Sequence, residues 1–150
     1  MTPLLFICIG FVIAVLWIDL KFDWLSFRYR GQPGVLPEKE VLAPMTYYYR
    51  YVTGKPVVIL IVLLFILFSI ISQIVQAVVP GWVAWTSLIL FGATMMFAAL
   101  RVIPAARRFG TRVDSLEEQS RVALALFTMH FFEFLAILTV AGLQIYAAWK

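Results

Sequence analysis

Long apolar stretches alternate with short polar ones along this chain. Four of the apolar stretches run over 3–20, 56–79, 81–102 and 122–149. A bilayer core needs about 20 predominantly apolar residues per helical span, so each is expected to cross once. Barrel strands alternate apolar and polar residues over about ten positions, whereas these runs are continuous. In hydrocarbon the α-helix then satisfies every backbone N–H and C=O. The expected fold is all-α, a single integral membrane domain built as a four-helix bundle of up-down topology. The first stretch has no basic residues ahead of it and ends in Trp17-Ile18-Asp19-Leu20-Lys21 rather than small residues. It therefore reads as a retained span rather than a secretory signal.

The polar stretches refine this picture. Segment 21–55 breaks at Gly31-Gln32-Pro33-Gly34, a strong turn signal. After Pro37, acidic residues at 38 and 40 open a helix that Pro44 interrupts or kinks. Residues 38–53, with Tyr47, Tyr48, Tyr49 and Tyr51, read as a short amphipathic helix along the membrane surface, rings at headgroup depth. Spans two and three form a hairpin across Pro80-Gly81, and span three is expected to stop at Pro104. Gln73 and Gln76, three apart, should share a face and bond across helices. Gly10-x-x-x-Ala14 would let another helix approach span one closely. After the basic loop 103–121, Ser115 and Glu118 fit a capping box for span four. A helix over 116–149 is about 50 Å long at 1.5 Å per residue, so its first turns should project beyond the bilayer.

Composition agrees: 63% of the 150 residues are hydrophobic and 13% charged, against roughly 45–50% and about 25% in soluble domains. Charge adds orientation. Lys21, Arg28, Arg30, Lys39, Arg50 and Lys55 fall between spans one and two. Arg101, Arg107, Arg108, Arg112 and Arg121 fall between spans three and four, which leaves Lys150 alone beyond the spans. The positive-inside rule makes both basic segments cytoplasmic and both termini non-cytoplasmic. Trp82, Trp85, Tyr146 and Trp149 then mark the outer interface, and Trp17, Trp24 and the tyrosines the inner one. So strong a bias argues against an inverted homodimer of the dual-topology exporter or fluoride-channel kind. Arg107, Arg108 and Arg112 are expected to meet anionic lipid headgroups, at about 1 kcal/mol each, rather than nucleic acid.

The inventory for chemistry is small. Cys8 is the single cysteine, which excludes an internal disulfide and dithiol redox work. One histidine excludes a bis-histidine haem and multi-histidine di-iron clusters. Gly-rich phosphate loops and nucleophile–histidine–acid patterns are absent, so no cofactor is expected. The candidate polar layer comprises Asp19, Lys21 and Asp23 at the inner end of span one, Arg101 at that of span three, and His130 and Glu133 in span four. If Trp149 marks the outer interface, His130 lies about 28 Å and Glu133 about 24 Å further in. His130 and Glu133 share a face. Asp19, Asp23, His130 and Glu133 together are weak candidates for a divalent cation. The alternative is an electrostatic clasp in which Glu133 pairs with Arg101 or Lys21, and an aspartate with the remaining base.

The leading functional expectation, reached by exclusion, is a non-catalytic accessory or scaffold subunit with protein partners in the membrane. Two other classes stand beside it. One is a proton- or cation-coupled small transporter using Glu133, His130 and Asp19. The other is a membrane enzyme acting on lipid or quinone through a metal or acid–base site in the polar layer.

Overall fold

Helix α1, Pro3–Phe27, buries Leu5, Cys8, Ile9, Val12, Leu16, Asp19, Leu20, Asp23 and Ser26. The intervals of one, three and four residues define a single stripe along one helix face. That stripe changes character along its length, aliphatic up to Leu16 and acidic beyond it. The structure, a computed structural model, describes residues 3–32, 34–54 and 56–149. Pro33 of the expected turn, and Lys55 and Lys150 of the charge pattern, lie outside the described residues.

Among the described residues the regular elements are all helical. After α1 come a π-helical turn (Glu38–Leu42), α2 (Ala43–Thr53), α3 (Val57–Gln76) and α4 (Gly81–Phe97). A second π-helical turn (Ala98–Val102), α5 (Ile103–Thr111) and α6 (Leu116–Ala148) complete the chain. Four helices are long and apolar enough to cross a membrane: Pro3–Phe27, Val57–Gln76, Gly81–Thr111 and Leu116–Ala148.

The third of these does not stop at Pro104. Proline lacks an N–H and crowds the preceding turn; here the π-helical turn at Ala98–Val102 widens the helix just before it. Pro104 then occupies the first turn of α5, where no donor is needed. Pro44 stands likewise at the start of α2, after the π-helical turn that ends at Leu42. Gly31 and Gly34 take φ of 87° and 107°, a left-handed conformation open mainly to glycine. The Ser115 hydroxyl accepts from Glu118 N–H at 3.3 Å, but the Glu118 carboxylate turns to Arg121 at 3.0 Å rather than back toward the cap.

α1 packs along α6, and α3 packs on α1 and α4, while α4 also meets α6. Trp17 meets Phe134, Asp23 meets His130 and Ser26 meets the Ala123 carbonyl, so α1 and α6 run antiparallel. One apolar core lies among α1, α3, α4 and α6, around Ile9, Ile66, Phe91 and Ile137. A second gathers α2, α5 and the start of α6 around Leu42, Met45, Phe109 and Leu126. On α6, His130 and Glu133 fall between Leu126 of the second core and Ile137 of the first.

A relay of side-chain amides and a hydroxyl links α3, α6 and α4. Gln73 Nε2–H donates to Gln144 Oε1 at 2.8 Å, and Gln144 Nε2–H to the Ser87 hydroxyl at 3.1 Å. Such bonds contribute about 0.6–2 kcal/mol each between apolar helices. Gln76 does not join them; it is exposed and bonds to Ser72 on its own helix. Gly10 and Ala14 also face outward, so the small-residue pair seats no other helix of this chain.

The seat of α2 depends on Gly110. A Cβ there would lie 3.1 Å from Arg50 N and 3.2 Å from Arg50 Cα, while Arg50 Nε–H donates to the Gly110 carbonyl at 3.1 Å. Because the neighbouring atoms are backbone, Gly110→Ala must push α2 away from α5. It is expected to cost about 1–3 kcal/mol, read as a lower melting temperature in detergent. An unchanged melt would show that α2 is not seated by this contact.

Candidate functional site

The inward stripes of α1 and α6 bring Asp19, Asp23, His130 and Glu133 inside, and the buried face of α2 adds Tyr48 and Tyr49 from the side. Asp23 is fully buried and is the hub. His130 Nδ1–H donates to Asp23 Oδ2 at 2.6 Å, and the Tyr49 hydroxyl donates to Asp23 Oδ1 at 2.5 Å. The Tyr49 and His130 rings stack at 11°, with the phenol oxygen 3.4 Å from the same ring nitrogen. Ser26 completes the seam, sharing its hydroxyl between the carbonyls of Asp23 (2.8 Å) and Ala123 (3.1 Å). Each Asp23 oxygen thus has a donor, as a buried carboxylate requires.

Asp19 is held differently. The Tyr48 hydroxyl donates to its Oδ1 at 2.6 Å, and Phe22 stacks on the Tyr48 ring at 4.0 Å. Both phenol pKa values are pushed above the ordinary value of about 10. Burial is the main cause, followed by the charge of Asp19 for Tyr48 and of Asp23 for Tyr49. Both therefore remain neutral donors. Because their pKa is higher folded than unfolded, their stabilising contribution is complete below about pH 10 and is lost as pH rises past it. Alkaline titration followed by tyrosinate absorbance should lose its highest-pH component in the Tyr48→Phe, Tyr49→Phe double variant. If the absorbance lost is that of ordinary phenols titrating near pH 10 and the highest-pH component stays, neither phenol is enclosed.

Glu133 stands apart. Its side chain is buried, yet Oε1 has no hydrogen-bond partner among the described residues. It faces a cavity of about 450 Å³ to which all six helices contribute. Asp19, His130 and both tyrosines also line this space. Leu63, Phe91 and Ile137 are among its apolar lining, and Phe11, Tyr51, Val58, Ile103 and Arg107 are the exposed residues at its opening.

The expected partners of Glu133 are elsewhere. The Lys21 amine lies over the Trp17 ring, 5.5 Å from its centroid, and Arg101 is exposed. Glu133 points inward from α6, so neither base, each on the outer face of its helix, shares its side of the bundle. Of the basic loop residues, Arg108 pairs with Asp114 at 2.8 Å and Arg112 with Glu38 at 2.6 Å. Among the described residues no three His, Cys, Asp or Glu side chains converge on a point that could hold a metal ion.

Tyr48 and Tyr49 are the site residues that the sequence pattern did not single out. Their signal was the spacing of Val41, Leu42, Met45 and Tyr49, an apolar helical face running through four tyrosines. That face buries Tyr49 and half-buries Tyr48 but leaves Tyr47 and Tyr51 outside.

Fold and site together define a chain whose described regular elements are helical, with four helices long and apolar enough to cross a membrane and an acid-rich centre facing a cavity between helices. No family model matches the chain, and no curated protein or solved structure matches it either.

Proposed function

We propose that this chain is a small multi-pass membrane protein that carries protons or cations, with Glu133, Asp19 and His130 as its ion-handling groups. The four long helices cross the bilayer up and down, and α2 with its preceding turn lies at the cytoplasmic surface. Charge asymmetry puts segments 21–55 and 103–121 in the cytoplasm and both termini outside, with Arg107, Arg108 and Arg112 beside anionic headgroups.

One observation supports the carrier reading above the others: the buried, unpartnered Glu133 oxygen facing the cavity. An isolated carboxylate away from water is costly, and ionisable groups within spans commonly mark ion pathways. An acid kept only to clasp helices would be paired, as Asp23 is. At Glu133 the neutralising charge is a proton or a cation that enters the cavity. The purified protein in lipid vesicles should therefore dissipate an imposed pH or cation gradient faster than empty vesicles, with a rate that depends on pH. Flux no faster than in empty vesicles would end this reading.

A second reading, an accessory subunit, is favoured by the outer faces of α3 and the α4–α5 helix. Only 17% and 11% of their most apolar stretches are buried, against 39% for α1. Lipid or partner helices would cover that area. A native mass spectrum of the mildly extracted protein decides: reproducible partners support the subunit, and a bare chain or small homo-oligomer counts against it.

A further inference from the structure

We infer that the cavity binds an organic cation with an apolar body, such as a quaternary or protonated alkyl- or arylammonium ion, whose charge is neutralised at Glu133 and Asp19. This rests on the carrier reading above and names its ligand class.

Size sets the first bound. About 450 Å³ falls within the roughly 300–1,000 Å³ of small-molecule sites and is far more than a bare proton or metal ion needs. The wall sets the second. It is mainly aliphatic and aromatic, with Leu63, Phe91 and Ile137 among its buried and half-buried lining, and a hydrated inorganic ion would gain little there. Charge sets the third. Asp19 and Glu133 face the space, and Asp23 stands behind His130. Wherever the His130 proton resides, carboxylates outnumber cations around the cavity, since Arg107 stands at the exposed mouth.

The existing hydrogen bonds leave this charge uncompensated. Tyr48 gives its proton to Asp19 and Tyr49 gives its own to Asp23, but both are neutral donors. Glu133 Oε1 receives none. An anionic headgroup would be repelled by Asp19 and Glu133 within the cavity, where the cationic donor of the lining, Arg107, is exposed. A cation would meet an oxygen that lacks a partner, in a wall whose lining includes the aromatic side chains of Tyr49 and Phe91, and aromatic rings attract cations.

The test compares two probes of nearly equal size and opposite charge, tetraphenylphosphonium and tetraphenylborate. Each is measured separately by equilibrium dialysis against the full-length protein in mild detergent. The expected result is saturable, one-to-one binding of the phosphonium. It should weaken at least tenfold in Glu133→Gln, recover in part in Glu133→Asp, and be lost in the cavity-filling Ala98→Phe. The borate should show only the non-saturable uptake of empty micelles. Unchanged phosphonium binding in Glu133→Gln and Ala98→Phe, or saturable borate binding, overturns the inference. Helical circular dichroism of each variant separates loss of binding from loss of fold.

The two proposals fail separately. Gradient-driven proton flux that needs Glu133, without phosphonium binding, removes the organic cation and leaves the carrier. Glu133-dependent phosphonium binding without any flux removes the carrier and leaves the binding site.

Discussion

Asp23→Ala is expected to destabilise the folded protein by about 3–5 kcal/mol, the usual cost of removing one partner from a buried ion pair. Asp23 accepts from both His130 and Tyr49 in a fully buried position. Its removal strands two donors contributed by different helices, so the loss extends beyond one bond. The seam where α1, α2 and α6 meet should open, and detergent melting should show a large drop. His130→Ala breaks the same pair, so the double variant should cost much less than the sum of the singles. Replacing Asp23 and His130 by leucine together with Tyr49 by phenylalanine should recover most of the stability, because a well-packed apolar cluster often equals a buried ionic one and no buried donor is then left stranded. A loss under about 1 kcal/mol in Asp23→Ala would show that the pair does not hold these helices together.

Glu133→Gln should do the reverse, leaving the melting temperature close to wild type while lowering vesicle flux at least tenfold. Glutamine keeps the shape, and the lost charge had no hydrogen bond at Oε1 to give up. Removing an unpaired buried charge relieves a desolvation cost rather than adding one. On the proposed carrier reading, the same substitution removes the group that would exchange a proton or cation with the cavity. The two variants would thus separate stability, at Asp23, from the proposed transport, at Glu133. A destabilised Glu133→Gln would make Glu133 a second clasp, and full flux in a well-folded variant would remove it from the pathway.

Legibility in the sequence followed the range of the interaction. That the chain is helical, with four segments able to cross a membrane, came from the length and continuity of apolar runs, a property of each segment by itself. The membership of the polar centre was partly visible as well. Asp19, Asp23, His130 and Glu133 are conspicuous because ionisable groups are rare in such surroundings, and the i,i+3 and i,i+4 spacings put each pair on one face. The partners were not visible. The Asp23–His130 contact joins residues 107 apart in the chain. It depends on the rotation of α1 and α6 about their axes, which many all-round apolar sequences leave open. Lys21 and Arg101 looked like natural partners for Glu133 by depth, but depth carries no information about which way a helix turns.

Sequence by itself therefore determined the apolar segments, the charge asymmetry between loops and the small set of groups able to do chemistry. Tertiary structure decided which acid is satisfied and which faces open space. It also passed the helix through Pro104 on a π-helical turn and, through the close approach at Gly110, brought Tyr48 and Tyr49 in from α2. The physical reason is that desolvation and backbone hydrogen bonding act on each segment alone. Pairing of buried polar groups depends on angstrom-scale placement of several helices at once, and that placement is set by how the two apolar cores pack.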